Sequence, residues 1–140
     1  MIFFLQGLST EINLSDRYSL YPENRKMVSF IYVISDTFKK ITELIALGEV
    51  RISNHGYDEL AEDGLLVREI VAGAKYGKVV EDYPEYPKGP CVLVLQRDSE
   101  GGPVHAVWGI PKSASSPAVL VTAYKPDPLH WSEDFMERRK

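Results

Sequence analysis

The chain carries a single cysteine, Cys91, among 140 residues. One cysteine cannot close an internal disulfide, and a reduced, cytoplasmic protein is the simplest expectation. No apolar run approaches the ~20 residues needed to span a bilayer, so no membrane partner is expected. The first five residues, Met1-Ile-Phe-Phe-Leu5, are apolar, but they lack a basic lead and are followed at once by Gln6 and the polar Ser9-Thr-Glu11, which argues against a secretory signal. Positive charge is also scarce. Sixteen Lys and Arg against 20 Asp and Glu give a net charge of −4, which supplies no general pull toward nucleic acid, and DNA is not expected as a partner. HExxH and paired-cysteine spacings are missing, and His55, His105 and His130 lie far apart on different elements, so no metal is expected. No Gly-rich loop joins a strand to a helix, which removes nucleotide binding, and no other cofactor is expected.

What is present suffices for one folded domain: 44% of the residues are hydrophobic and 26% charged. The centre of the chain reads as an antiparallel meander over residues 78–124. Four runs rich in β-branched and aromatic residues (78–83, 91–97, 104–110 and 118–124) are bounded by Pro84, by the turn cluster Asp98-Ser-Glu-Gly-Gly102 and by Lys125-Pro126. Helices are expected ahead of it. Asp36 is a candidate N-cap for residues 37–47, where Phe38, Ile41, Leu44 and Ile45 share one face and Gly48 supplies the stop. Residues 50–53 read as an extended link, Asn54 as the cap of a second helix reaching Glu62, and residues 66–75 as a third. Gly73 weakens that third helix unless close packing against a strand requires it. After the sheet come a Pro-rich turn and, over residues 132–140, a short helical end with acids first and bases last, the order a helix dipole favours.

Residues 1–30 are poorly patterned and form an amino-terminal extension. Two readings are open: an over-extended start, with Met27 the true one, or an arm that packs on the sheet or on a partner through Phe3, Phe4, Tyr18 and Tyr21.

Two histidines are candidates for chemistry. His55 sits in the first turn of its helix, where the positive helix end disfavours imidazolium and leaves a neutral base. The bland alternative is a histidine bonded to a nearby carbonyl. His105 lies mid-strand, with Val107 on its own face and Val104, Ala106 and Trp108 on the other. If the Val104 face is the core, His105 looks onto the open face of the sheet, where Thr122, Tyr124, Glu81 and Tyr83 could join it. Exposed sheet faces are polar in any case, so this pattern too has a purely structural explanation. Cys91 has no activating partner in the sequence and reads as core.

The order of Arg51-Ile-Ser-Asn-His55, Gly64-Leu-Leu-Val-Arg-Glu-Ile70, Gly77-Lys-Val-Val-Glu-Asp-Tyr-Pro84, Pro103-Val-His-Ala-Val107 and Val121-Thr-Ala-Tyr-Lys-Pro-Asp127 with Trp131 resembles a small bacterial and archaeal family known as a domain of unknown function. Similar proteins are grouped with the RelE, BrnT and barnase-like ribonuclease toxins and stand beside zinc-finger or helix-turn-helix antitoxins. The resemblance covers residues 37–139, read as a single toxin-like domain. It implies an α+β fold of amino-terminal helices packed on a four-stranded antiparallel meander, with the short carboxy-terminal helix at its end. It also implies a metal-independent ribonuclease, with RNA as substrate and an antitoxin as partner. On this reading His55 and His105 carry the acid–base roles, Tyr124 or Thr122 donate hydrogen bonds, and Glu81 is a second candidate base. Arg51, or Arg138 with Arg139, supplies charge, and Trp131 belongs with the substrate-binding residues. The chain departs from the family at Glu59, where an arginine is usual. That departure and the acidic total favour a rival expectation: a non-catalytic protein-interaction module that keeps the fold.

Overall fold

The computed structural model describes residues 35–140, so the amino-terminal extension and the Met27 start fall outside the described residues. Helix α1, Asp36–Ala46, is capped by Ser35, whose hydroxyl accepts from the Phe38 amide; Asp36, expected as the cap, is the first helical residue instead. A Ser one position earlier competes equally well for that orphan amide, which is why the sequence left the boundary one residue loose. Gly48 stops the helix with φ +77°. Helix α2, Asn54–Glu62, repeats the one-residue offset: Ser53, not Asn54, is the cap. Helix α3, Val67–Gly73, is shorter than expected and tightens into a 3₁₀ turn, Ala74–Tyr76. Gly73 stands where α3 meets the sheet: a Cβ there would lie 3.3 Å from the Gln96 side chain, so the glycine permits the close approach its sequence position demanded.

The meander is as expected, with β2 Lys78–Tyr83, β3 Cys91–Arg97, β4 Pro103–Gly109 and β5 Ala118–Tyr124 in antiparallel succession. The sheet nevertheless has five strands among the described residues, not four. Val50–Ile52, expected as a link, is strand β1 and pairs in parallel with β5, giving the order β1-β5-β4-β3-β2. Three residues are too few to show a period, and parallel pairing to a partner so distant leaves no local turn signal. The carboxy-terminal helix is absent as well. Ser132 bonds the Asp134 carboxylate, Phe135 takes φ +60°, and a bridge joins Trp131 to Arg138, so the segment is a compact turn. The Ser132 and Asp134 side chains bond the local backbone in place of a helical ladder.

The three helices cover one face of the sheet. Ile41, Leu44, Leu60 and Ile70 pack there on Val94, Val104, Ala106, Trp108 and Leu120. Within this core Gln96 is 2% exposed, donates to the Ile70 carbonyl (2.8 Å) and accepts from the Trp108 indole (3.0 Å), tying α3 to the sheet without leaving a buried polar group unpaired. The opposite face of the sheet carries the residues of functional interest.

Candidate functional site

Strand register lays three cross-strand rows on the face away from the helices. The first is Leu95–His105–Tyr124, the second Glu81–Leu93–Val107–Thr122, and the third Tyr83–Cys91–Gly109–Val119–Arg51. The sequence expectation that His105, Thr122, Tyr124, Glu81 and Tyr83 share a face thus holds in the backbone register. The expectation that the face is open does not. The carboxy-terminal segment folds back over the first two rows, placing Trp131, Phe135 and Met136 against Val80, Leu93, Leu95 and Val107. Those four side chains make a second apolar surface, and its burial supplies the reason for the cover.

His105 lies fully buried beneath it. Its Nε2 is 2.8 Å from the Phe135 carbonyl and its Nδ1 3.3 Å from the Tyr124 hydroxyl. A carbonyl only accepts, so Nε2 carries the proton and Nδ1 accepts from Tyr124. Trp131 meets the imidazole edge-on, with centroids 4.4 Å apart, and Tyr124 does likewise at 5.5 Å. Burial lowers the His105 pKa to about 4, against the smaller upward pull of the Phe135 hydrogen bond, so the ring is neutral at pH 7. Burial also pushes the Tyr124 phenol well above its ordinary range, keeping it a donor.

Beside this pair Glu81, 4% exposed, accepts two bonds from Arg138, at 2.9 Å to Nε and 3.1 Å to Nη2. The fork-on-carboxylate geometry is the strongest form such a pair takes. Burial alone would lower the Arg138 pKa, but the Glu81 hydrogen bonds and charge outweigh it and hold the guanidinium above its usual value. Arg138 also stacks over the Trp131 ring at 4.7 Å. Thr122, 1% exposed, has an Oγ1 with no hydrogen-bond partner among the described residues. An unmade bond at a buried hydroxyl costs about 1–3 kcal/mol, so this atom is either strained or kept for something.

Six of the nine residues singled out from the sequence therefore gather in one place: Glu81, His105, Thr122, Tyr124, Trp131 and Arg138. The other three stand apart. His55 is exposed in the first turn of α2, away from the sheet row that holds His105. Arg139 is exposed and donates to the Pro128 carbonyl, which helps close the terminal turn. Arg51 is exposed at the far end of the third row. Sequence reasoning named both Glu81 and Arg138 but missed that they pair. The available signal was an acid at an inward strand position, which needs a partner cation when buried.

The third row is not covered by the terminal segment. Above it lies an open groove of about 330 Å³, with Val119, Val121, Cys91 and Gly109 in its floor and Arg51 and Lys88 among its lining. Among the described residues no group of three His, Cys, Asp or Glu side chains could hold a metal ion, and no helix is long and apolar enough to cross a membrane.

No curated protein and no solved structure matches the chain. Residues 52–125, just over half of the 140, match the profile of a domain of unknown function, DUF4258, and the chain belongs to that family.

Proposed function

We propose that this protein is a metal-independent ribonuclease, the toxin of a type II toxin–antitoxin pair. The observation that carries the proposal is the Glu81–Arg138 pair set beside the His105–Tyr124 pair on one sheet face. RNA cleavage of this kind needs a base for the 2′-OH, a cation for the phosphorane and a proton donor for the leaving 5′ oxygen. Glu81 suits the base, the Arg138 fork suits two phosphate oxygens, and the Tyr124 hydroxyl suits the donor once it turns from His105 Nδ1, to which it donates in the resting fold. The 2′ oxygen attacks phosphorus as its proton passes to Glu81. The bond from phosphorus to the 5′ oxygen breaks as that oxygen takes the Tyr124 proton, leaving a 2′,3′-cyclic phosphate and a 5′ hydroxyl. Water then returns a proton from Glu81 to Tyr124.

Arg138 answers the departure at Glu59, because the positive charge lacking on α2 comes from the carboxy-terminal segment. Substrate entry requires that segment to yield: a phosphate must draw Arg138 from Glu81 before the carboxylate is free. The order of motifs that resembles a family grouped with RelE, BrnT and barnase-like toxins supports the reading, as does the neutral state of His105. The partner such a toxin requires is an antitoxin of the zinc-finger or helix-turn-helix kind.

A second reading, a non-catalytic interaction module of the same fold, is favoured by one observation. Both ring nitrogens of His105 and both oxygens of Glu81 are already taken within the fold, and His105 is fully buried. Induced expression in a bacterial host separates the two, paired with cleavage of single-stranded RNA by purified protein in a chelator. Growth arrest and cleavage, both abolished by Tyr124→Phe at equal protein level, are expected of the ribonuclease. Healthy growth with abundant soluble wild-type protein and intact RNA would leave the interaction module standing.

A further inference from the structure

We propose that the open groove over the third row is a binding site for a peptide segment of a partner protein, one that presents an apolar side chain next to a carboxylate. The inference is independent of the ribonuclease reading and uses different residues. Its shape comes from Gly109. Strand alternation aims this position at the same face as His105 and Val107, and a side chain there would occupy the middle of the row. Glycine leaves that space empty between Cys91, Val119 and Val121. A Cβ at Gly109 would meet Cys91 Cβ and the Pro90 carbonyl oxygen at 3.4 Å and Val121 Cγ2 at 3.8 Å, so packing admits a methyl group there. The absent side chain serves the cavity and not the fold.

The rim gives the sign of the ligand. Arg51 and Lys88 are both exposed, line the groove, and have no ion-pair partner among the described residues. Two unpaired cations above an apolar floor are complementary to an amphipathic anion. The volume of about 330 Å³ lies at the small end of ligand pockets, enough for one or two side chains. A nucleotide fits less well, because the Val119, Val121 and Cys91 side chains in the lining offer a base edge little to hydrogen-bond. An apolar side chain beside a carboxylate does not meet that obstacle.

The test is an NMR titration of the full chain with N-acetyl-leucyl-aspartate, beside N-acetyl-leucinamide and uridine 5′-monophosphate. The acidic peptide is expected to shift the Gly109, Val119 and Val121 amides saturably in the millimolar range. Arg51→Gln and Lys88→Gln should each weaken it about tenfold, the loss of one charge-assisted bond. Gly109→Ala, which adds only the methyl group the packing admits, should weaken it with the melting temperature little changed. Should Gly109→Ala fold poorly, the two exposed-site variants still decide. Equal shifts from the uncharged amide, tighter binding of the nucleotide, or no saturable shift with any probe would each overturn the proposal.

Discussion

One face of one sheet carries two opposite solutions to the same problem. Over its first two rows a buried acid, histidine and threonine and a half-buried tyrosine lie beneath the terminal segment, with all but the Thr122 hydroxyl bonded to another group. Over the third row, a buried glycine and valine and a half-buried Val121 lie at the base of an open groove, rimmed by two cations with no ion-pair partner among the described residues. The closed half shows how much polar surface can be buried once the partners are supplied from within. The open half shows that the fold does not need its whole face covered to stand. Any ligand of the closed half would have to displace the cover, whereas one of the open half would not.

Substitutions that remove the seal should have the largest effect. Trp131→Ala takes away a buried ring that touches His105 and Arg138, and a loss of about 3–5 kcal/mol in urea denaturation is expected. Arg138→Met leaves Glu81 buried without its cation and should cost about 3 kcal/mol, with part of the loss recovered in the double variant Glu81→Gln/Arg138→Met.

The closed half should also respond to acid. The His105 pKa falls from 6.5 in the unfolded chain to about 4 in the fold, so the unfolded state binds the proton first as pH drops. The contribution of this residue is fully present above pH 6.5 and lost between there and pH 4. Stability should decline by about 2 kcal/mol from pH 7 to pH 5 through this group, and His105→Gln should flatten that part of the profile.

Thr122→Val removes an unpartnered buried hydroxyl at constant shape, and a gain of up to about 1 kcal/mol is expected. If the same variant lowers RNA cleavage, the hydroxyl is held unbonded for the reaction; unchanged cleavage would make it a plain defect. The smallest effect belongs to the open half. Arg51→Gln should shift stability by less than about 0.5 kcal/mol. A larger loss would mean that the groove is structural after all, and the contrast between the halves would fail.

The sequence made some of this legible and hid the rest for physical reasons. Strand limits at β2, β3 and β5 could be read because β-branched runs end at proline or in turn clusters, and helix faces because Ile41, Leu44 and Leu60 recur at helical spacing. The shared face of Glu81, His105, Thr122 and Tyr124 followed from simple alternation, although bulges at Val79/Glu81 and Val107/Trp108 interrupt it. Strand β1 was hidden because its only partner among the described residues lies far along the chain. The cover over His105 was hidden because Trp131 and Arg138 act through a turn, and the turn offers no periodicity to read. His55 looked as suitable as His105 in the sequence; only the fold separates an exposed helix start from a buried strand.

The parallel pairing of β1 with β5 also governs the order in which a growing chain can be completed. Ser53 at the end of β1 bonds the Val121 carbonyl 68 positions later. As the polypeptide leaves the ribosome, β2, β3 and β4 can join their sequence neighbours within moments of emerging, because each contact spans a short loop. Strand β1 emerges before all of them and waits for residues 118–124, the last strand of the sheet to emerge. A nascent chain halted before residue 118 therefore holds β1 without its strand and α2 without its support. That interval is when a chaperone has the most surface to hold and a neighbouring nascent chain has the most edge to capture.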